Sequence, residues 1–205
     1  WEIIGLYDKV LGVSTFHAAQ NIVLKSLVVT EYNPSIRDNR AMICASRLGD
    51  GSWDTIRKSL RLEHCSKQQK WLEQKVHLLN RAFPYLPVDN IKYTNRDTYT
   101  WYSRKTYGDF IRYNEQPKLD MVKQLNEFGI WWLFLDDGHY SKNVLGFAVE
   151  NIGIANALSM KLSEYSFQFK IVNKNWITIQ DQKSFISFSK TFLEPFRHLT
   201  PQCMY

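Results

Sequence analysis

Two Asp-Gly pairs end two apolar segments that look alike. The segments cover residues 40–51 and 126–138, so Asp50 and Asp137 are 137 − 50 = 87 residues apart. Each segment is long enough for about three helical turns, which places both carboxylates at the negative ends of helix dipoles. If the two helices lie side by side, the aspartates repel each other, and divalent cations would relieve that repulsion. The pattern therefore predicts a Mg²⁺ site shared by Asp50 and Asp137.

The glycines after these aspartates carry a second prediction. Glycine is the usual residue of a left-handed C-terminal cap, so Gly51 and Gly138 are expected to end the two helices in that conformation. Asp-Gly pairs also occur in ordinary turns. Their duplication at matched helix ends favours a metal site.

The two apolar segments also predict how the helices pack. Ala45 and Ser46 are small, whereas Trp131, Trp132 and Phe134 are large. We expect the small residues of the first helix to accept the large side chains of the second, because protein cores interdigitate large with small.

Similar elements are expected after each Asp-Gly pair. After Gly51 the patterns predict a hairpin over residues 52–64, a helix over 66–82, strands within 91–107, and helices over 107–113 and 119–125. After Gly138 they predict a strand over 144–150, a helix over 152–164, a hairpin from 166–172 and 176–180, and a helix over 184–196. One-sided antiparallel sheets with helices on one face indicate an α+β fold.

Composition narrows the class of protein. The chain has 205 residues, 44% of them hydrophobic and 15% aromatic, with a formal net charge of +6. The aromatic content suits core packing or a nucleic-acid surface, and the positive charge favours polyanionic partners. Three scattered cysteines argue against a disulfide framework or zinc site and favour an intracellular, reducing compartment. No apolar run is long enough to span a membrane, and no signal peptide is visible, although the sequence begins with Trp1.

The segments Leu48-Gly-Asp-Gly-Ser52 and Leu135-Asp-Asp-Gly-His139 resemble the two motif helices of LAGLIDADG homing endonucleases. The likeness covers roughly residues 38–205 and includes the segments 60–72, 110–118 and 192–205. It implies two αββαββα-like repeats related by pseudo-two-fold symmetry. Their motif helices would pack at the centre, and their sheets would form a saddle over DNA.

The resemblance suggests three regions. Residues 38–120 and 121–205 would be the first and second repeats. Residues 1–37 would be an N-terminal extension. Within it, residues 11–23 resemble part of a helix-turn-helix, although an ordinary packing helix is the alternative.

The resemblance also assigns the candidate active-site residues. Asp50 and Asp137 match the metal-binding acids, and the backbone carbonyls of Gly49 and Asp136 would complete the shells around roughly two or three ions. The Asp136 side chain has no clear role and is expected to be an exposed neighbour. Lys118 matches a basic position before the second motif, where a solvated surface lysine is the alternative. His64 stands where the family often has Gln, and it would position water or simply end a strand.

The predicted strands and hairpin loops carry basic residues suited to phosphate and base contacts. Charged residues on a solvated sheet face are also ordinary. The candidates for DNA contact are Arg57, Lys58, Arg61, Arg104, Lys105, Lys142, Lys170 and Lys174.

The resemblance implies a site-specific, Mg²⁺-dependent DNA endonuclease. Because both motifs lie in one chain, the active unit is expected to be a monomer on a long, roughly pseudo-palindromic duplex. Three alternatives remain. The first is a protein of the same fold that assists intron RNA splicing or acts as a non-cleaving DNA-binding regulator. The second is a helix-turn-helix regulator that uses residues 5–25, and the third is an unrelated α+β domain.

Overall fold

The structure is a computed structural model that describes residues 35–94, 96–104, 106–141 and 144–193. A 3₁₀ turn over Ser66–Gln68 precedes the helix over Gln69–Ala82. The first half contains α1 (Ile36–Leu48), β1 (Gly51–Asp54), β2 (Ser59–Cys65), α2 (Gln69–Ala82), β3 (Ile91–Thr94), β4 (Thr98–Tyr102), α3 (Gly108–Asn114) and α4 (Lys118–Gln124). The second half contains α5 (Glu127–Asp137), β5 (Gly138–Ser141), β6 (Val144–Ala148), α6 (Ile152–Glu164), β7 (Phe169–Asn173), β8 (Trp176–Ile179) and α7 (Gln182–Leu193).

The two halves repeat one topology. Among the described residues, each half holds a four-stranded antiparallel sheet, with order β1-β2-β4-β3 in the first and β5-β6-β8-β7 in the second. In each half, one helix is followed directly by the edge strand, and a second helix connects the two hairpins. The α+β fold with two repeats is therefore confirmed.

Each sheet buries one face. In β2, Leu60 and Leu62 are fully buried, whereas Arg61 and Glu63, which alternate with them, are half-buried. Successive strand residues point to opposite faces, so the leucines pack toward the helices and the charged residues lie on the open face. In β8, Ile177 is fully buried between two half-buried neighbours. The core thus lies between the sheets and the helices.

The two motif helices, α1 and α5, begin side by side. Ser35 caps α1 in a capping box with Asp38, and Asn126 caps α5 by accepting a hydrogen bond from the Gly129 amide. The Asn126 side-chain amide donates to Asp38 Oδ1 at 2.6 Å. The two N-terminal caps are therefore linked to each other.

The contact between α1 and α5 continues along both helices. A Cβ built on Gly129 would lie 3.0 Å from Ala41 Cβ, and Trp132 Nε1 donates to Ser46 Oγ at 3.0 Å. The Ser46–Trp132 contact places a small residue of the first helix against a large one of the second, as the sequence predicts. Gly129 adds a small residue on the second helix that the pattern did not single out.

The prediction of left-handed caps is wrong. Gly138 has φ −72°, and Gly108 is the one glycine of the described residues with positive φ. A Cβ on Gly51 would instead overlap the backbone carbonyl oxygen of Ser46, and one on Gly138 would overlap that of Phe134. These positions require glycine because the chain turns back tightly against the preceding helix.

Most predicted elements are present, with local differences. The strand expected to reach residue 107 ends at Tyr102, and β5 directly after α5 was not anticipated. Both proposed repeat boundaries fall near or inside helices, since α1 begins at Ile36 and α4 spans residue 120. The proposed helix-turn-helix segment and the chain beyond residue 193 lie outside the described residues. Within the described part of the chain, no helix is both long and apolar enough to cross a membrane.

Candidate functional site

Asp50 and Asp137 lie at the neighbouring ends of α1 and α5. Asp50 lies in the turn between α1 and β1, and Asp137 is the last residue of α5. Burial, together with the negative charges of Asp136 and Asp137, raises the pKa of Asp50 to about 7. Burial likewise raises the pKa of Asp137 to about 6, helped by the charge of Asp136. The site therefore disfavours the ionised form of both carboxyl groups.

The Asp136 carboxylate is not the exposed neighbour that the sequence analysis anticipated. Its side chain is fully buried and forms an ion pair with the equally buried Lys75 of α2. Lys75 Nζ lies 2.7 Å from Oδ1 and 2.6 Å from Oδ2, and Trp71 Nε1 donates to Oδ1 at 3.1 Å. Burial raises the pKa of Asp136, while Lys75, Trp71 and the Asp50 amide oppose this by stabilising the carboxylate.

His64 lies between Lys75 and Asp50. Its Nε2 is 3.1 Å from Lys75 Nζ, and its Nδ1 is 3.2 Å from Asp50 Oδ2, although no well-directed hydrogen bond joins Nδ1 to a partner. Burial lowers the pKa of His64 to about 2, and the charge of Lys75 acts in the same direction.

The protonation of His64 follows from these neighbours. The imidazole is neutral, because its pKa lies far below neutral pH. Its Nε2 accepts from the Lys75 ammonium, which leaves the ring proton on Nδ1, the nitrogen that faces Asp50. The lone pair of the imidazole is thus used inside the protein.

The other predicted active-site residues lie around the helix ends. Lys118, the first residue of α4, forms an ion pair with Glu150, and its charge lowers the pKa of Asp137. Gly49 faces Asp136 so closely that a Cβ on Gly49 would lie 2.7 Å from Asp136 Cβ. The structure thus brings Gly49, Asp136 and His64 to the same centre as Asp50.

The DNA-contact candidates that the structure describes occupy the open sheet faces and their loops. Arg61 pairs with Glu63 and lies over the Tyr102 ring at 6.0 Å. Lys58 pairs with Glu115, and Arg104 donates to Asn90 Oδ1 at 3.1 Å. Exposed side chains without a role in the core are Arg57, Lys170 and Lys174. Lys105 and Lys142 lie outside the described residues.

Lys75 and Trp71 belong to the site although the sequence patterns did not single them out. A signal for Lys75 was present, because it falls on the apolar stripe of α2, one residue before Val76 and four before Leu79. Residues three and four apart share a helix face, so a lysine there must be buried. A buried lysine requires a partner of opposite charge.

The donor set at the helix ends fits a hard divalent cation. Asp50 and Asp137 offer carboxylate oxygens that are only partly buried, and carboxylate oxygens are the ligands Mg²⁺ prefers. A cation placed there would offset the cost shown by the raised pKa of both groups. Lys75 already uses Asp136 and His64 Nε2.

Stabilisation of the protein by Mg²⁺ is expected to increase as the pH rises. Both aspartates have a folded-state pKa above the ordinary value of 3.8, so their ionisation lowers the free energy of unfolding of the metal-free protein as pH rises through that range. Protons therefore compete with Mg²⁺ below pH about 6. Thermal unfolding with and without Mg²⁺ should show a small shift in Tm at pH 5.5 and a larger one at pH 8. An equal shift at both pH values would contradict this.

Comparisons with known proteins support the fold. No protein-family model matches the chain, and no curated protein sequence matches it significantly. The homing endonuclease I-WcaI bound to its DNA recognition sequence matches with TM-score 0.53 and 14% identity over 82% of this chain and 86% of that chain. I-DmoI in complex with DNA and Mn matches with TM-score 0.54 and 12% identity over 78% of this chain and 97% of that chain.

A third solved structure shares the fold as well. Full-length DUF199/WhiA from Thermatoga maritima matches with TM-score 0.57 and 14% identity over 86% of this chain, which spans 64% of that protein. At these identities the likeness concerns the fold. The fold of this chain is thus similar to that of homing endonucleases solved with DNA and to that of WhiA.

Proposed function

We propose that the chain is a metal-dependent DNA endonuclease of the homing type that makes double-strand breaks by phosphodiester hydrolysis. The observation that carries this proposal is the placement of Asp50 and Asp137 at the neighbouring ends of two packed helices. Burial and the negative charges of neighbouring aspartates raise the pKa of both groups, which makes the pair receptive to cations. Similarity in fold to DNA-bound homing endonucleases agrees with this choice.

In the proposed site, Asp50 and Asp137 hold Mg²⁺, with the carbonyls of Gly49 and Asp136 as further oxygen ligands. Divalent ions in such a site supply an activated water and stabilise the leaving oxygen. Asp50 Oδ2 lies 3.2 Å from His64 Nδ1. Lys118 lies near enough to Asp137 to lower its pKa, and it would turn from Glu150 to a DNA phosphate.

The open faces of the two sheets are the proposed DNA-binding surface. Arg61 of β2 and Lys170 of β7 lie on strands whose other face is packed against the helices. Arginine and lysine on such a surface bind phosphates and read base edges. The ion pairs of Arg61 with Glu63 and of Lys58 with Glu115 would exchange for contacts with DNA.

Cleavage of a DNA library with randomised sites, with and without Mg²⁺, tests this proposal. A small set of sequences should be cut on both strands only when Mg²⁺ is present. Selective retention of duplexes without cutting would instead favour a DNA-binding regulator. If no duplex is cut and none is selectively retained, both functions would be rejected.

One chain is expected to bind each target duplex. Both motif helices and both sheets belong to one chain, so a single copy supplies two DNA-facing surfaces. The target should be only roughly palindromic, because the side chains on the two sheets differ. Sedimentation of the protein on a selected duplex should give one chain per site. A stoichiometry of two would contradict the proposed assembly.

RNA binding is a second candidate, because a groove at the end of the first sheet fits unstacked bases. The groove has a volume of about 830 Å³, and three of its tyrosines are exposed. Exposed aromatic rings stack on the bases of single strands, and arginines beside them bind phosphates. The tyrosines and arginines that line it are Tyr85, Tyr102, Tyr107, Arg57 and Arg104.

Tyr107→Ala is expected to separate the two candidates. Its ring is 60% exposed, and loss of one stacking contact typically costs about 1–3 kcal/mol, or roughly 5-fold to 150-fold in affinity. Binding of structured intron RNA should weaken by this factor if the groove takes an unstacked base, whereas duplex cleavage should remain. Unchanged RNA affinity would remove the groove from consideration. Tyr93→Ala, an equally exposed tyrosine of β3 outside the groove, is the matched control.

A further inference from the structure

The ammonium group of Lys75 is bound in the way a metal ion is bound. Its Nζ contacts Asp136 Oδ1 at 2.7 Å, Asp136 Oδ2 at 2.6 Å and His64 Nε2 at 3.1 Å. An ammonium has three hydrogens to donate, and here three acceptor atoms face them. All three acceptors are atoms that also ligate metals.

The two residues that hold the ammonium, His64 and Asp136, belong to a compact set of metal-ligating groups. One ligand atom each from Asp50, His64 and Asp136 lies within 4.8 Å of the others. Two carboxylates and a neutral imidazole are a donor set that suits divalent transition ions such as Mn²⁺ and Zn²⁺. We call these three residues the inner cluster, to distinguish it from the outer pair of Asp50 and Asp137.

Lys75 is enclosed at the inner cluster. The Lys75 and His64 side chains are fully buried, and Nζ lies 5.8 Å from the Trp71 ring centroid and 5.6 Å from that of Trp132. Aromatic faces attract cations, so rings and acceptors together favour a positive charge at this point. A protein that needed only packing here would have an apolar residue in place of a buried ion pair.

We propose that Lys75 is a resident cation that fills an inner divalent-metal site formed by Asp50, His64 and Asp136. Its ammonium keeps the Asp136 carboxylate and the His64 lone pair away from the outer pair. Divalent ions then bind only between Asp50 and Asp137. The metal-binding role of Asp50 and Asp137 rests on the proposed function. The existence of the inner cluster does not depend on it.

Removal of the Lys75 charge should open the inner site. In Lys75→Met, a side chain of similar length without charge, Mn²⁺ counted by its electron paramagnetic resonance signal without DNA should show one more bound ion per chain than in the parent protein. The further change His64→Ala should remove the added ion. Lys70→Met is the matched control, because Lys70 is exposed on the same helix, and it should bind the parent number of ions.

A folded Lys75→Met protein that binds the parent number of ions would overturn the proposal. If that variant fails to fold, the double variant Lys75→Met/Asp136→Asn, which removes both charges, still decides. It should bind the parent number of ions, because the Asp136 carboxylate is not a ligand when Lys75 is present. Loss of an ion in the double variant would show that Asp136 ligates a metal in the parent protein and would overturn the proposal.

The experiment also distinguishes this proposal from the proposed nuclease. A parent protein that binds no Mn²⁺ and a Lys75→Met variant that binds one ion would reject the outer pair and support the inner site. Parent binding that depends on Asp137, with no added ion in folded Lys75→Met, would support the outer pair and overturn the resident-cation role.

Discussion

Asp50→Asn and Asp137→Asn are each expected to abolish double-strand cleavage while binding of the target duplex is retained. Asparagine keeps the size of the side chain but removes the charge that holds a divalent cation. Loss of metal-based stabilisation amounts to several kcal/mol, which converts to a decrease of about a thousandfold or more in cleavage rate. Single-turnover cleavage and duplex binding, measured side by side in Mg²⁺, provide the test.

The same substitution should stabilise the metal-free protein. At pH 8 both carboxyl groups are ionised, although the folded site raises the pKa of Asp50 to about 7 and that of Asp137 to about 6. Asn removes this unfavourable charge, so the Tm without metal should rise as cleavage is lost. Asp120→Asn is the control, because Asp120 is half-exposed on α4 and its carboxylate pairs only with Lys123 among the described residues. Cleavage at the parent rate in both site variants would refute the assignment.

Gly49→Ala is expected to lower the free energy of unfolding and to slow cleavage. The new Cβ would lie 2.7 Å from Asp136 Cβ and 3.0 Å from Asp136 Oδ2. Asp136 cannot yield easily, because Lys75 holds both of its carboxylate oxygens. Overpacking a rigid core costs about 1–3 kcal/mol, and the ends of α1 and α5 would have to separate. Expressed as a free energy, the loss in cleavage rate should therefore be at least as large as the loss in the free energy of unfolding.

Gly153→Ala is the matched control for this substitution. Gly153 lies in the first turn of α6, where a Cβ meets only Asn151 Oδ1 at 3.2 Å and Leu119 Cδ2 at 4.0 Å. Alanine is the better helix former by about 1 kcal/mol, so this variant should be as stable as the parent or more stable. Chemical unfolding and cleavage rates measured for both variants provide the comparison. Equal stability of the two variants would mean that α1 and α5 do not meet at Gly49.

The repeated architecture could be predicted because its signals are local. The alternation of Leu60, Arg61 and Leu62 indicated a one-sided strand, and proline after Phe83 indicated the end of a helix. The same reasoning predicted the hairpin over residues 52–64, the hairpin from 166–172 and 176–180, and the helix over residues 152–164. Each of these features depends on chain geometry and on the burial of one face, and both leave their pattern within a few neighbouring residues.

The centre of the molecule could be predicted only in part. The Asp-Gly pairs indicated which carboxylates lie at the helix ends, but the ion pair of Lys75 with Asp136 joins residues 61 positions apart. No local pattern reveals which buried lysine meets which buried aspartate. The glycine conformations were misjudged for a similar reason, because the space at Gly51 is limited by the Ser46 carbonyl rather than by the φ that a cap requires.

The buried pair of Lys75 and Asp136 makes the two repeats unequal where they meet. Gly49 stands opposite Asp136, and the buried positions of α6 match those of α2 after 158 − 75 = 83 residues, so Leu158 takes the place of Lys75. Two copies of the first repeat would bury two lysines without partners, and two copies of the second would bury two aspartates. Each unpaired buried charge costs about 3–5 kcal/mol, so the lysine and the aspartate specify heterotypic pairing and penalise self-association of either half.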